Sequence, residues 1–346
     1  MQQVPLQLPS PAHWVSAREG ETKVGQAIHL LPVEGDYQQQ INDAWQQGRR
    51  IAVLGIPESI GVKGNLGRAG AELGWQAFLQ SFLNLQATGI IPLDELLLVG
   101  AVDCDDIQQQ AEALDPNEQT ELNRIRELCG IVDGRVKAVV EPLFEAGFEV
   151  IAIGGGHNNA YPLLTALAQA TGQSCGAVNL DPHADFRPRE GRHSGNGFSY
   201  AYTEGALSAY HVLGLHEAKN SVQSLRQMFD AGVRYDAVHQ LLTEGFANAL
   251  DSTMSRAVSW QRPLAIEVDV DAISQAPASA MNYTGVTFAD AFSYVSRLAE
   301  VAEARYLHLA EAAPGLHPAG EAEGRRACGQ LLSELVLAYF QGRRQR

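Results

Sequence analysis

The chain has 346 residues, 45% hydrophobic and 7% aromatic, enough for one large α/β domain or two ordinary ones with a sizeable core. A formal net charge of −15 and a pI near 5.1 argue against nucleic acid or an anionic membrane as the main partner, and no apolar run approaches the length of a membrane span. The cysteines, Cys104, Cys129, Cys175 and Cys328, make no CxxC spacing, which disfavours a thiolate zinc site or a disulfide framework and fits a reducing cytoplasm; the opening "MQQVPLQLPSPAHW" lacks the basic start and apolar centre of a secretory signal.

Residues 1–49 contain many Gln and several Pro, are weakly patterned, and read as an extension packed on a main domain spanning 50–346. From Arg50 onward, short runs rich in Val, Ile and Leu alternate with longer segments of helical spacing. The runs are "IAVLGI" (51–56), "LLLVGAV" (96–102), "FEVIAIGGG" (148–156), "CGAVNLD" (175–181), "YHVLGLH" (210–216), "PLAIEVDVD" (263–271) and "RYLHLAEAAP" (305–314). Being apolar at nearly every position, they suit strands buried on both faces. Between them, Asn117–Ala146, Asn158–Ala170, Phe288–Ala304 and Glu321–Gln341 carry apolar residues at helical spacing. This alternation predicts an α/β fold, a doubly wound sheet or a barrel. With no internal repeat, low-complexity linker or break in composition, a single domain is expected. Arg187–Asn196, with Gly, Pro, Arg and Ser and no periodicity, reads as a loop at the carboxyl end of a strand, where parallel α/β proteins keep their sites.

Several runs end in metal-ligating residue types. "AIGGGHN" ends in glycines and His157; "NLDPHAD" supplies Asp181, His183 and Asp185; "IEVDVDAIS" supplies Asp269 and Asp271; "LHLAEAAP" supplies Glu311. Side chains two apart on a strand share a face, so Asp181, His183 and Asp185 should converge, and so should Asp269 and Asp271. Leaving Glu311 aside, two imidazoles and four carboxylates without a thiolate suit Mn²⁺, and also Fe²⁺, Co²⁺ or Zn²⁺, better than a structural zinc site. Four ionised aspartates balance two divalent ions, whereas four buried carboxylates with no cation would be very costly. Taken singly, each group has a plain structural account: a loop histidine, a surface DxHxD, a polar strand end. Their joint occurrence at three strand ends favours a metal centre.

With these residues placed, the chain resembles the ureohydrolase family of arginase, agmatinase, guanidinobutyrase and formimidoylglutamase. The family's GGxH stands as "GGGHN", its DAHxD as "DPHAD", its SxDxDxxDP partly as "EVDVDAISQA", and its late glutamate before proline as Glu311 in "EAAP". The likeness runs from "IAVLGIP" to "EAAPG". It implies an arginase-like, three-layer α/β domain with a mainly parallel sheet, a homo-oligomer, and two Mn²⁺ per subunit held by His157, Asp181, His183, Asp185, Asp269 and Asp271. It also implies hydrolysis at the sp² carbon of an amidine or guanidine, with Glu311 pairing with the cationic nitrogens and Asp185 among the catalytic groups. A cluster of carboxylates would attract and stabilise such a cation.

Three positions depart from the family pattern. Pro182 stiffens the strand end, Glu267 occupies the place of a small Ser, where it either supports or repels the centre, and Ser274 replaces an outer Asp. Two stretches resemble formimidoylglutamase: "GIPESIGVKGNLGRAGAELG", with Asn65 and Arg68, and "DFRPREGRHSGNGFSYA", with Arg187. Formimidoylglutamate carries two carboxylates besides its formimino group, so Arg68, Arg187, Arg189 and Arg192 are candidates to grip them. The structural alternative has Arg68 and Arg187 bracing loops or pairing with Glu190 or Glu58. Ser194 and Asn196 match polar positions that bind the amino-acid end in arginase, and His193 in the same loop is a candidate proton shuttle. The remaining histidines are read as structural, His308 on the side of its strand away from Glu311. The leading function is hydrolysis of N-formimidoyl-L-glutamate to L-glutamate and formamide, as in histidine breakdown. The alternatives are a guanidino-compound hydrolase releasing urea and a member whose metal site is weakened and which has lost catalysis.

Overall fold

Each of the seven apolar runs forms a strand, buried along nearly its whole length. The structure, a computed structural model, describes residues 4–346. In chain order the strands are β1 (Leu6–Gln7), β2 (His29–Leu30), β3 (Ile51–Gly55), β4 (Leu96–Val102), β5 (Glu149–Ile153), β6 (Cys175–Leu180), β7 (Leu207–Leu215), β8 (Arg234–Ala237), β9 (Leu264–Asp269) and β10 (Ala304–Ala310). They form one sheet in the order β1-β4-β3-β5-β10-β9-β6-β7-β8, with β2 also on β4. Every pairing is parallel except that of β1 with β4.

Helices cover both faces, as a sheet apolar on both sides requires. One face packs against Gly74–Phe82, Phe246–Trp260, Phe288–Ala299 and Glu321–Arg343; the other against Tyr37–Gln46, Gln119–Ala146, Ala160–Thr171 and Gly197–Thr203. The helix expected over Phe288–Ala304 stops at Ala299, because Ala304 is already the first residue of β10. The N-terminal segment does not merely rest on the domain. It contributes β1 and β2 to the sheet, and Tyr37 donates from its hydroxyl to the Val139 carbonyl (2.8 Å). No helix among the described residues is long and apolar enough to cross a membrane.

The order β5-β10-β9-β6 positions the site. The chain leaves β5, crosses to β6 three strands away, and returns only at the end to fill the gap with β9 and β10. The registers place Leu309 beside Ile153, Ala310 beside Asp269, and Leu180 beside Val268, so these four strands end in line. A crevice at such a reversal of strand order, at the carboxyl edge, is the usual binding place of open parallel sheets. Tyr294 locks the arrangement from below: its buried hydroxyl lies within hydrogen-bond distance of the carbonyls of Val178 on β6 (2.8 Å) and Glu267 on β9 (3.0 Å).

The last helix packs closely on its neighbour through Gly342, where an added Cβ would stand 1.8 Å from the Ser296 carbonyl oxygen and 2.9 Å from the Ala299 side chain. Neither contact partner is the end of a flexible side chain. Gly342→Ala is therefore expected to destabilise the fold by about 1–3 kcal/mol, read as a lower denaturant midpoint at unchanged slope. An unchanged midpoint would show that the two helices are free to separate.

Candidate metal centre

The first ligand group grows from β6. Asp181 follows the strand directly, and its Oδ1 accepts the His183 backbone N–H (2.6 Å) while its Oδ2 accepts from Asn179 Nδ2 (2.9 Å). On β9 the Asp269 Oδ1 accepts the Asp271 N–H (2.9 Å). Such side-chain-to-backbone bonds turn the chain on itself just past the strand. Convergence therefore comes from turns at the strand ends rather than from strand alternation: only Asp269 of the five lies within a strand, and Asp271 sits in a short 3₁₀ turn, Val270–Ala272. Asp185 (φ 44°) and Glu311 (φ 66°) occupy the left-handed region that non-glycine residues rarely visit. Held strain of this kind gathers at functional sites.

His157 arrives from β5 through Gly154 (φ 86°) and Gly155 (φ 77°), a turn that side chains would oppose. The loop is pinned by Glu58, a fully buried acid absent from the sequence-derived site. Its carboxylate accepts backbone N–H groups of Ile60 (2.7 Å), Gly61 (3.2 Å) and Gly156 (2.8 Å) and the side-chain amides of Asn158 (3.2 Å) and Asn159 (2.6 Å).

The six expected side chains meet in two sets of four, and Asp181 and Asp269 belong to both. In the first set the fully buried His157 Nδ1 lies 3.3 Å from Asp181, 3.1 Å from Asp185 and 3.6 Å from Asp269. It makes a well-directed hydrogen bond to none of them. An orphaned buried nitrogen aimed among three carboxylate oxygens fits a metal ligand. In the second set His183 Nδ1 is 3.4 Å from Asp181 and 3.3 Å from Asp271, whose Oδ1 is also buried without a partner. Nitrogen and oxygen donors without thiolate, with two shared carboxylates, fit a pair of divalent ions such as Mn²⁺.

Electrostatics point the same way. Burial, then the Asp181 charge, pushes Asp185 up to about 6, and burial with the Asp269 charge pushes Asp271 and Glu311 well above the carboxylate range. Burial also raises Asp181, but the close imidazoles of His157 and His183 overcome it and hold it at about 2. Burial lowers His157 and His183, yet the surrounding carboxylates raise both well above the usual imidazole value. Without a cation, the acids compete for the protons of two imidazoles.

Glu267 stands behind His157. Its Oε2 receives His157 Nε2 at 3.3 Å and His308 Nδ1 at 2.7 Å, and Tyr306 donates to its Oε1. His308 is thus not turned away from the site, as its odd spacing from Glu311 suggested. The chain turns into a left-handed conformation at Glu311, which breaks the strand alternation that inference used. Ser274 donates to the Tyr283 carbonyl (3.0 Å) and so holds its own loop together.

A cleft of about 150 Å³ is lined by four of the six, His183, Asp185, Asp269 and Asp271, and also by Asn65, Ser194, Ser279 and Glu311; His157 and Asp181 lie fully buried beneath it. It adjoins a second of about 400 Å³ that shares Asn65, His183 and Asp185 and adds Arg187, Lys219 and Ser221. The Glu311 Oε1 accepts the His157 backbone N–H (3.1 Å). Asn65 receives Arg187 on its Oδ1 and reaches Ser194 Oγ (3.3 Å) with its Nδ2; Arg187 also pairs with Glu190 (3.0 Å). A larger groove of about 940 Å³ lies far from this chemistry, and its acids are already engaged, Asp103 and Asp105 by Gln7 and Asp106 by Arg135.

Other expected site residues do not reach the cleft. Arg68 spends its guanidinium on the Ser279 carbonyl (3.0 and 2.7 Å), because its loop needs that anchor. Asn196 is fully buried, its oxygen receiving Arg192 and the His193 N–H and its amide reaching the carbonyls of Pro188 and Gly191. Arg192 makes a buried bidentate pair with Asp133 (2.7 and 3.1 Å), and Arg189 lies over the Tyr200 ring. His193 is also fully buried, its Nδ1 accepting the Gly195 N–H (3.2 Å); burial and then Arg187, Arg126 and Arg192 hold its imidazole at about 2. This buried ring lines neither cleft. Lys219, which lines the outer cleft, was not anticipated, since a lone lysine after a strand gives no sequence signal.

The sequence profile of the Arginase family matches residues 49–337. The formimidoylglutamase of Aromatoleum aromaticum is 29% identical over 288 residues, 78% of this chain and 78% of that protein. Among solved structures, the formimidoylglutamase from Bacillus subtilis superposes with a TM-score of 0.73 at 16% identity, covering 95% of this chain and 94% of that one. The Trypanosoma cruzi formiminoglutamase with Mn²⁺ gives 0.68 at 18% identity, covering 92% and 99%.

Because Asp181 serves both sets and Asp185 only one, Asp181→Asn is expected to lose both ions, and Asp185→Asn to keep one at the His183 side, on metal analysis of the dialysed protein. Equal losses would contradict the shared-ligand geometry. Bound metal must also displace protons from the raised imidazoles and from Asp185, which sits at about 6. Mn²⁺ affinity should therefore fall as pH is lowered, beginning above the ordinary imidazole range and continuing through about 6, with proton release visible in calorimetry across buffers of different ionisation enthalpy. A pH-independent affinity would exclude this linkage.

Proposed function

The chain belongs to the arginase family, and from that premise we propose that it is a binuclear manganese hydrolase of a linear amidine, N-formimidoyl-L-glutamate, giving L-glutamate and formamide. The observation that carries the reading is the pair of four-ligand sets sharing Asp181 and Asp269 beneath a cleft whose outer part carries Arg187 and Lys219. Two Mn²⁺ ions held by His157, Asp181, His183, Asp185, Asp269 and Asp271 would act as Lewis acids and bring the deprotonation of water near neutral pH.

The remaining chemistry belongs to the chain. A formimino group is cationic when protonated, and Asp185 and Glu311 line the inner cleft where it would enter. Burial, and then the Asp269 charge, keeps Glu311 well above its ordinary value, and a cation arriving there would offset both. The Glu311 carboxylate is already oriented by the His157 backbone N–H, leaving its other oxygen for a substrate nitrogen. Ser194 and Asn65 border the path outward. At its mouth Arg187, braced by Asn65 and Glu190, and the exposed Lys219 would receive the tail carboxylates; the Arg fork suits bidentate grip, the Lys a point charge. This pair of cations favours a dicarboxylate tail over agmatine, which has none. The tail-binding role thus passes from Arg68 and Asn196 to Lys219. The four cysteines, all buried and unpaired, suit the reducing cytoplasm in which we place the enzyme, as a homo-oligomer like that expected from the sequence.

The direct test offers formimidoylglutamate, arginine, agmatine and guanidinobutyrate to Mn²⁺-loaded protein and scores formamide against urea. Formamide from the first alone is expected; urea from any of the others would move the substrate class. Lys219→Ala and Arg187→Ala should each raise KM for formimidoylglutamate by about 10-fold or more with a smaller change in kcat, consistent with loss of a charge-assisted bond. An unchanged KM in both would remove the outer cleft from substrate recognition.

A further inference from the structure

The place that the family pattern gives to a small serine holds Glu267, and the structure buries this acid completely, within hydrogen-bond distance of a metal-centre histidine. Introducing a carboxylate into a protein interior is expensive unless its oxygens are satisfied. Here both are: Tyr306 donates to Oε1, and Oε2 lies against His308 Nδ1 and His157 Nε2. His308 and Tyr306 come from alternate positions of β10, and Glu267 from its neighbour β9, paired directly across from His308. The network therefore spans the two strands at the middle of the sheet, immediately behind the centre. His157, Glu267 and His308 are close enough to suggest a third ion site. The short His308 contact and the Tyr306 hydroxyl instead make this a hydrogen-bonded cluster.

We infer that Glu267 is the positioning residue of His157: its carboxylate accepts the Nε2 proton, and so fixes the ring orientation and the tautomer whose unprotonated Nδ1 faces Asp181, Asp185 and Asp269. A ligand imidazole free to rotate about its side-chain bonds, or to carry its proton on Nδ1, would offer no lone pair to the centre. A buried carboxylate on the far nitrogen removes both alternatives and makes the near nitrogen a stronger donor. The structure contains the matching sign, since Nδ1 is the buried nitrogen without a hydrogen-bond partner and Nε2 is the one that has found a carboxylate. His308 and Tyr306 then act one step further back, holding Glu267 against rotation. Since Glu267 touches only His157 of the six ligands in this way, its effect falls on the set that contains His157, while the His183 set is supported by Asp181 and Asp271.

This inference rests on the metal-pair reading, and the test separates the two. Metal-stripped wild type, Glu267→Ala, Glu267→Gln and Tyr306→Phe are titrated with MnCl₂ by calorimetry, with circular dichroism of each metal-free protein alongside. The wild type is expected to take up two ions. Glu267→Ala should lose about 10- to 100-fold in affinity for one of them and little for the other. Glu267→Gln keeps an acceptor oxygen and should recover most of that loss, and Tyr306→Phe should bind both ions within a few-fold of wild type. Wild type that binds no ion would overturn the metal-pair reading itself. Wild type that binds two, with Glu267→Ala binding both as tightly or Tyr306→Phe losing as much as Glu267→Ala, would overturn the role of Glu267 alone. Should the alanine variant fail to fold, ¹⁵N-histidine NMR of the Zn²⁺-loaded wild type decides. The His157 signal, assigned by its absence in His157→Asn, should carry its proton on Nε2; a proton on Nδ1 would overturn the inference.

Discussion

Negative charges crowded into a dry place must be answered by positive ones, and this constraint shapes the whole carboxyl edge of the sheet. Asp181, Asp185, Asp269, Asp271 and Glu311 lie almost fully buried around two imidazoles. Burial first, and then their mutual repulsion, drives Asp271 and Glu311 well above their usual range, while the two imidazoles hold Asp181 low. A divalent pair settles the balance, and a cationic substrate group adds to it. Acidity here is therefore both the means of holding metal and the means of selecting a positively charged reacting group. The backbone accepts some cost for this placement, with Asp185 and Glu311 held in conformations that favour glycine.

Further from the centre the polar groups satisfy one another. Glu58 absorbs five donors to fix the turn that delivers His157, and Arg192 is tied to Asp133, Asn196 and the Asn158 carbonyl. These bonds convert loops into a rigid frame, so that ligands from strands distant in sequence hold their separations before any ion arrives. The outer cleft, by contrast, leaves its cations partly in solvent, where they can adapt to a flexible tail.

The buried strands and the clustering of the six side chains were legible because both leave strong local marks: continuous Val, Ile and Leu runs, and acids or histidines placed where those runs stop. What was illegible has a common cause, which is dependence on neighbours brought by the fold. β1 and β2 are only two residues long and β8 is polar, so they become strands by pairing and not by pattern. Glu58 sits in an ordinary "IPES" turn, and only the arrival of Gly156, Asn158 and Asn159 makes it a keystone. Tyr306 and His308 did leave a trace, two polar-tipped residues at alternate positions of a strand whose other residues beyond Arg305 are apolar, but the strand-alternation rule assigned His308 to the wrong surroundings because the chain bends at Glu311. His193 and Asn196 show the opposite case, polar residues of a site-forming loop whose side chains bond within that loop.

The strand order also gives the site a history. β10 is the last strand to leave the ribosome, yet it belongs in the middle of the sheet, hydrogen-bonded to β5 on one side and β9 on the other. Without it the sheet divides into two halves, one ending in β5 and the other made of β6, β7, β8 and β9, each with an unpaired interior edge. The β6–β9 half already carries Asp181, His183, Asp185, Asp269 and Asp271, whereas His157 waits on the other half and Glu311 has yet to be made. Five of the six clustered side chains thus sit on one half of the sheet and His157 on the other, and β10 is the strand that joins the two.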